Sequence, residues 1–396
     1  MCYAIPGQVV ELTDRVATVE YFGERRKAYK DLVEIQLGDY VYAQGGFVIQ
    51  KLSEAEAKEI LDDWRELFFK LQETDKKLAA KPQGLYERAN AIRQKYHGNS
   101  CCIHGILEFS NYCRNNCLYC GIRRDNKTLV RYRLQIPEIL EVVDEAVKLG
   151  FKALVLQSGE DEYYDEDKLY TICKEIRNRH PVLLFVSLGE RPLTIYQRLY
   201  EAGVRGALIR FEISNPTIYS RLKPDSVLEE RLGLIKKIRG LGYLIITGFL
   251  VGLPKETRRD ILQNIKLTAS LGAEMFSFGP FIPHPQTPLR NEAPPTLAKM
   301  LRIIAQARLM NPKAKILVTT ALETLDKEDG AKAGLLAGAN SLMINVTPVK
   351  YRRLYDIYPQ RFGTDLSTRE HINKTIQLLQ SLGRAPTDLS VDTDEV

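Results

Sequence analysis

The sequence predicts an α/β protein in which a (β/α)8 barrel follows a small all-β barrel that carries a C-terminal helix. Three observations predict it. The first 50 residues hold five short runs of β-forming residues broken by turn residues. From residue 99 onward, eight apolar, β-branched runs alternate with segments of helical periodicity. Polar and charged residues gather at the C-terminal end of run after run, where a barrel of parallel strands collects its reactive groups. An open doubly wound sheet shares the alternation and is the other architecture it permits; such a sheet would bind its ligand at a switch point.

The elements follow in order. The first runs are residues 8–12, 16–21, 26–30, 39–43 and 47–50, separated by Thr13-Asp14, Gly23, Gly38-Asp39 and Gly45-Gly46. Ser53 opens a helix and Glu56 stands three residues later, the arrangement of a capping box. Ile60, Leu61, Trp64, Leu67 and Phe68 give that helix one apolar face, which closes a first domain over 1–70. Residues 71–98 are polar and rich in lysine and glutamine, and read as a helical linker ending at His97-Gly98-Asn99. The large barrel is assigned to 99–375, with strands at 103–109, 153–157, 182–187, 207–211, 244–249, 275–278, 316–319 and 342–346. Helices are expected at 137–149, 229–241 and 260–271, the first with Ile139, Val142, Val143, Ala146 and Leu149 on one face. Residues 376–396 read as a polar tail.

The composition bounds the function. A hydrophobic content of 44% and a charged content of 27% support a large core and argue against disorder. The net charge of +6 is spread without a basic run or a nucleic-acid motif, so no nucleic-acid partner is expected. No apolar run is long enough to cross a membrane, and MCYAIPGQVVELTDR has neither a basic leader nor an apolar core, so no membrane partner and no signal peptide are expected. Seven cysteines in 396 residues are no disulfide scaffold, and reduced thiols imply a cytoplasmic location.

Cys113, Cys117 and Cys120 lie in CRNNCLYC, a Cys-x3-Cys-x2-Cys spacing with no fourth cysteine close behind. A disulfide would leave one thiol over, whereas one compact metal centre uses all three. A cubane iron–sulfur cluster normally takes four thiolates, so three leave one iron open for chemistry. A zinc site with a distant fourth ligand is the alternative, although such sites usually arrive as two paired half-sites. With aromatic Tyr119 before the last cysteine, the motif resembles that of the radical S-adenosylmethionine (radical SAM) superfamily. That resemblance implies one 4Fe–4S cluster held by Cys113, Cys117 and Cys120, with S-adenosylmethionine on its open iron.

A longer resemblance runs over residues 100–360. EFSNYCRNNCLYCGIRRDN, LVLQSGED, SLGE, IRFEISNP, VGLP, GPFIPHPQTP and TPVKYRRLYDIYP are similar to the HydE-like group of hydrogenase maturases, relatives of biotin synthase and methylornithine synthase. It implies that Tyr119, Gly159, Glu160, Arg210, Glu212 and Arg231 grip S-adenosylmethionine, and that Gln157, Met275, Thr319, Thr320 and Tyr351 line the substrate cavity. The residue types suit the ligand: carboxylates accept from an ammonium or a ribose diol, and guanidinium forks a carboxylate. Two departures stand out. Phe211 replaces a histidine of the group's Arg-His-Glu string, so one polar group near the site should be lost, and no cysteine group follows Tyr358, so a second cluster is not expected. Cys101, Cys102 and Cys173 read as small buried apolar residues.

The N-terminal stretch, with MCYAIPGQVVE at the start and LGDYVYAQGGFVIQKLSEAEA further on, resembles the HypC/HupF family of hydrogenase-assembly chaperones. There the cysteine after the initiator methionine helps hold an iron carrying cyanide and carbon monoxide; the matching residue is Cys2. The two resemblances together imply radical chemistry on a small iron complex with cysteine, carbon monoxide and cyanide ligands, fed by a low-potential electron donor and serving other hydrogenase maturation proteins. Two alternatives stay open: a radical SAM enzyme on a small organic substrate such as an amino acid or thiol, and a non-catalytic iron carrier.

Overall fold

The computed structural model describes residues 4–387. Five strands open the chain: β1 (Gly7–Leu12), β2 (Val16–Tyr21), β3 (Glu24–Tyr29), β4 (Tyr40–Gln44) and β5 (Phe47–Leu52). They close in the order β1-β2-β3-β5-β4. Alternation does the work on β2 and β3, where Val19 and Ala28 are buried and Arg25 faces water, while a bulge between Val9 and Glu11 lets β1 bury the first and expose the second. Helix α1 (Glu54–Ala79) starts at Ser53, whose hydroxyl accepts from the Glu56 amide, and lays Trp64 and Phe68 against this barrel.

The second barrel is built from β6 (Cys102–Ser110), β7 (Ala153–Ser158), β8 (Leu183–Ser187), β9 (Val204–Leu208), β10 (Leu244–Thr247), β12 (Ala273–Phe276), β14 (Lys315–Val318) and β15 (Ser341–Asn345). All neighbours are parallel and the sheet closes between β9 and β10. Beyond the mouth, β11 (Leu250–Val251) and β13 (Gly279–Pro280) form a short outer pair. The helices that surround the barrel are α3 (Ile136–Lys148), α4 (Glu166–Arg179), α5 (Leu193–Glu201), α6 (Pro216–Leu222), α7 (Leu228–Gly240), α8 (Arg258–Ser270), α9 (Leu297–Met310), α10 (Thr320–Leu325) and α11 (Gly330–Leu336). Helices α12 (Val349–Arg352) and α13 (Thr368–Ser381) follow β15. The closed sheet excludes the doubly wound alternative.

The expected fourth strand, 207–211, is displaced: β9 starts at Val204, so Arg210 and Glu212 lie past its end. Arg205 and Gly206 hid the start, and the glycine is there for space, since a Cβ would fall 1.8 Å from the Phe185 ring. The linker and tail also need correction. Helix α1 runs on to Ala79, and α2 (Leu85–His97) packs alongside the large barrel rather than merely spanning 71–98. The boundary at 376 falls inside α13, and Leu379, Leu382 and Ala385 beyond it are buried. The reason is a buried charge network that reads as polar sequence. Asp75 accepts from Arg93 at 2.6 and 2.7 Å and from Arg384 at 2.9 Å, and the Asn90 carbonyl takes both guanidiniums. One carboxylate thus ties α1, α2 and the C-terminal segment together.

The small barrel sits on the N-terminal ends of the large barrel's strands. Tyr42, Phe47, Ile49 and Leu52 share one buried cluster with Cys102, Val155, Phe185, Ile246 and Met275 from the floor. Arg205 donates to Asp31 at 2.9 Å and Lys152 to Gln50 at 3.1 Å at the rim.

Two buried histidines make stability pH-dependent. Burial, with Arg352 and Lys374 nearby, pulls His371 down to about 4, and burial beside Arg308 pulls His97 well below its usual value. A lowered folded pKa means the unfolded chain takes up the proton first, so stability present above about 6.5 is lost as pH falls toward 4. For His371 the full difference is about 3 kcal/mol at 1.36 kcal/mol per unit. Urea titrations at pH 6.5 and pH 4 should show wild type losing about that much more stability than His371→Phe; parallel losses would refute the assignment.

Candidate active site

A cavity of about 300 Å³ opens at the C-terminal mouth of the large barrel. Strand pleating selects its walls. In β6 the inward residues are 102, 104, 106 and 108, and the upper two, Ile106 and Glu108, line the cavity. The same parity brings in Gln157 and Ser187, then Leu208, Leu317 and Met343.

Cys113, Cys117 and Cys120 all reach this cavity from the loop after β6. The loop is pinned by backbone bonds from Leu118 to the Leu222 carbonyl (2.9 Å) and from Asn116 to the Asp225 carboxylate (2.7 Å). Gly159 permits its approach, because a Cβ there would lie 2.1 Å from the Tyr112 carbonyl and 2.9 Å from the Cys113 Cβ. Lys223, itself buried, places Nζ 3.5 Å from the Cys117 sulfur. Burial, then the neighbouring thiols, pushes Cys120 far above the ordinary thiol range; burial also raises Cys113. Such thiols stay protonated until a metal displaces the proton. Three sulfur donors on one wall of a cavity, beside a fixed ammonium, fit a cubane cluster with one iron left open. Tyr119 lines the same wall.

A charged belt runs beside the cysteine loop, whose Arg114 amide donates to the Glu160 carbonyl at 3.0 Å. Glu160 accepts from Arg114 at 3.2 Å and lies 3.9 Å from Arg231. Arg231 pairs with Glu190 at 2.6 Å and donates to the Arg210 carbonyl. Burial alone would raise the Glu190 carboxyl, but Arg231 and Ser226 hold it below the usual range. Gly189 has a φ of +71°, and a Cβ there would meet Glu160 at 2.2 Å, so only glycine leaves that carboxylate room. Arg210 and Glu212 pair with each other at 2.6 Å. Glu212 takes a φ of +67°, an uncommon conformation for a residue with a side chain, held by the hydrogen bond that its N–H donates to the Gly248 carbonyl at 3.1 Å.

Of the residues expected to line the substrate space, Gln157, Thr319 and Thr320 do. Met275 and Tyr351 do not. Met275 points inward one pleat below Ser277, which takes the place on the wall, and packs in the floor cluster. Tyr351 turns away on α12, stacks on Tyr132 with centroids 5.0 Å apart and donates to Glu138 at 2.9 Å. Phe211 faces the outer core beside Phe249, so no polar group is lost from the cavity there. Sequence reasoning left Arg114, Glu190, Lys223 and the Glu108–Arg361 pair without roles. Glu108 is fully buried, accepts from Asn345 at 2.8 Å and is gripped by both terminal nitrogens of Arg361. A carboxylate at an inward position of an apolar strand was the available signal. Cys101 and Cys173 are buried in the outer core, and burial pushes Cys173 up to about 12. Cys2 lies outside the described residues.

Three segments match known families: residues 1–64 the HupF/HypC family, 107–268 the Radical SAM superfamily, and 277–385 the Biotin and Thiamin Synthesis associated domain. The chain is similar to the FeFe hydrogenase maturase subunit HydE of Thermotoga maritima, 41% identical over 304 residues that cover 77% of this chain and 87% of the relative. Among solved structures, methylornithine synthase (PylB) superposes with a TM-score of 0.68 at 24% identity, covering 81% of this chain and 97% of that one. The FeFe-hydrogenase maturase HydG from Carboxydothermus hydrogenoformans gives 0.66 at 20% identity, covering 83% and 80%; both likenesses concern the fold. No helix among the described residues is long and apolar enough to cross a membrane. The cysteine wall, the charged belt and the extent of the HydE match together make this chain a radical SAM enzyme of the HydE group with a HupF/HypC domain at its N terminus.

Proposed function

We propose that the protein uses one 4Fe–4S cluster and S-adenosylmethionine to act on a small iron complex with cysteine, carbon monoxide and cyanide ligands during hydrogenase maturation. The observation that carries this reading is the joining, in one chain, of a HydE-type barrel and a HupF/HypC-type domain, two unrelated modules whose relatives serve hydrogenases. When bound, the cluster would donate an electron to the sulfonium of S-adenosylmethionine and release a 5′-deoxyadenosyl radical. Cys113, Cys117 and Cys120 would hold it, with Lys223 offsetting thiolate charge. Glu160 would take the amino group. Arg210 and Glu212, now paired, would exchange part of that pair for the carboxylate and the ribose diol. Glu108 and Arg361 would order the deeper wall, where Gln157, Thr319 and Thr320 meet the substrate. Free thiols suit a reducing, cytoplasmic setting, with a low-potential donor and other maturation proteins as partners.

The cluster assignment predicts about four irons per chain after anaerobic reconstitution. Cys117→Ala should abolish 5′-deoxyadenosine formation, and full turnover in that variant would end the radical SAM mechanism.

Arg210→Ala and Glu212→Ala each remove a charge-assisted contact at a buried site, worth about 1.5–3 kcal/mol, or roughly ten- to a hundredfold in affinity. Equilibrium binding of S-adenosylmethionine to cluster-loaded protein should weaken by that factor. Unchanged affinity in both variants would move the cofactor to another wall.

Infrared spectra of protein turned over with a cysteine-bound iron carbonyl cyanide complex should show carbon monoxide and cyanide stretches that shift as 5′-deoxyadenosine accumulates. Turnover of an amino acid or thiol, with no such bands, would favour an organic substrate.

A further inference from the structure

Past the end of β6 the chain doubles back beside the cysteine loop. Leu134 donates to the Phe109 carbonyl at 2.9 Å, and Ser110 pairs antiparallel with Arg133. Asn111, fully buried, fixes the crossing. Its side-chain nitrogen donates to the Val130 and Leu354 carbonyls at 2.8 and 2.7 Å, and its side-chain oxygen accepts from the Tyr132 N–H at 2.8 Å. Arg131 is thereby held between the two ends of the loop. One terminal nitrogen of its guanidinium donates to the Asn111 carbonyl at 2.5 Å, ahead of Cys113, and to the Ile122 carbonyl at 2.8 Å, beyond Cys120. The other donates to the Arg123 and Asn126 carbonyls at 2.6 and 3.3 Å. A single planar fork so closes the segment that carries all three cysteines, a task that the point charge of a lysine does not match.

All four acceptors are neutral. Other arginines of the stretch meet carboxylates: Arg133 forks Asp161 at 2.7 and 2.9 Å, Arg114 faces Glu160 and Glu162, both at 3.2 Å, and Arg124 lies 3.7 Å from Asp125 and from Asp225. Arg123 has no carboxylate either, but it reaches one carbonyl, that of Asn116, at 3.5 Å. Among the described residues no carboxylate pairs with Arg131. Burial pulls its pKa below the usual value, and the groups that offset this are the Cys113 and Cys120 sulfurs and then Tyr112, whose ring centroid is 6.0 Å away. A guanidinium stays protonated in proteins, so a fixed positive charge acts on two of the three cluster sulfurs. Hydrogen bonds to carbonyls orient that charge without cancelling it.

We propose that Arg131 is a positioning residue for the cluster: it clamps the two ends of the cysteine loop, and its uncompensated charge makes the bound cluster easier to reduce. A cluster on three thiolates gains one negative charge when the donor's electron enters. A nearby cation therefore stabilises the reduced form more than the oxidised one. Lys223 stands 3.5 Å from the Cys117 sulfur, so the three sulfurs divide between two cations, one on each side. This role presupposes the cluster assigned above. Iron binding by wild type tests that cluster, and only variants of Arg131 test the role.

The full chain is reconstituted anaerobically, without S-adenosylmethionine, as wild type, Arg131→Gln and Arg131→Lys. Iron and sulfide retained after gel filtration report the clamp. A redox titration with titanium(III) citrate, followed by the electron paramagnetic resonance of the reduced cluster, reports the charge. Arg131→Gln keeps a polar side chain but loses the cation. It should retain less iron and be reduced about tenfold less readily, which lowers the midpoint of a one-electron couple by about 59 mV. Arg131→Lys keeps the charge on a poorer clamp, so it should retain less iron than wild type while its midpoint stays with wild type. A wild-type midpoint in Arg131→Gln would overturn the electrostatic role, and wild-type iron retention in both variants would overturn the clamp. Where Arg131→Gln holds no cluster, Arg131→Lys decides. A cluster at the wild-type midpoint in the lysine variant supports the charge, and loss of the cluster from both variants alike overturns it.

Discussion

The constraint on which the molecule depends is the pleat of a closed parallel barrel. Successive residues of each strand face opposite sides, and closure leaves one shared interior, so a strand can give the axis only every second residue. In β6 that quota is Cys102, His104, Ile106 and Glu108, a gradient from floor to mouth written along one strand. The mouth end is charged and meets the cysteine loop. The floor end is mostly apolar and meets the small barrel. A register slip of one residue would send Glu108 into the apolar helix layer and Leu107 into the cavity, so the register is fixed by the large cost of burying an unpaired carboxylate.

Buried charge is the second theme, and it is handled the same way in two places. Asp75 serves Arg93 and Arg384 behind the small barrel, and Glu108 serves Arg361 in the cavity. A buried ion pair is no strong net stabiliser, but removing one partner strands the other at a cost of about 3–5 kcal/mol. Such pairs therefore specify arrangement more than they add stability. The first holds α1, α2 and the C-terminal segment in one orientation. The second fixes the segment after α12 against β6, which brings Tyr355 and Tyr358 to the cavity wall.

This explains what could be read from the sequence and what could not. Strands with continuous apolar runs, such as Ala153–Leu156 of β7, were legible because burial on both sides leaves an unbroken apolar string. The cysteine triplet was legible because its spacing has few other uses, whereas the glycine beside Glu160 was reached only through the resemblance of its motif. Strand β9 was not, because Arg205 and Gly206 answer to neighbours, Asp31 and Phe185, that are distant in sequence. The same holds for α2 and the chain after 376, whose buried arginines look like surface until Asp75 is placed among them. Met275 and Tyr351 failed for a finer reason: a motif names the strand or helix, while pleat parity and helix phase decide which way the side chain turns.

The two modules meet end to end rather than side by side. The small barrel covers the floor, the cysteine loop borders the mouth, and the interior between them is shared by Ile106, Leu208, Leu317 and Met343. A domain that only docked partners would be free to sit on the helical surface, where contact with the barrel's interior residues is unavailable. Seated where it is, it contributes Tyr42, Phe47 and Ile49 to the same cluster as the inward faces of the strands. Close-packed interiors transmit small displacements, because side chains there have few free rotamers. Ile106, Leu208, Leu317 and Met343 thus belong at once to the floor cluster and to the wall of the mouth cavity, and the fusion places both ends of that contact in one chain.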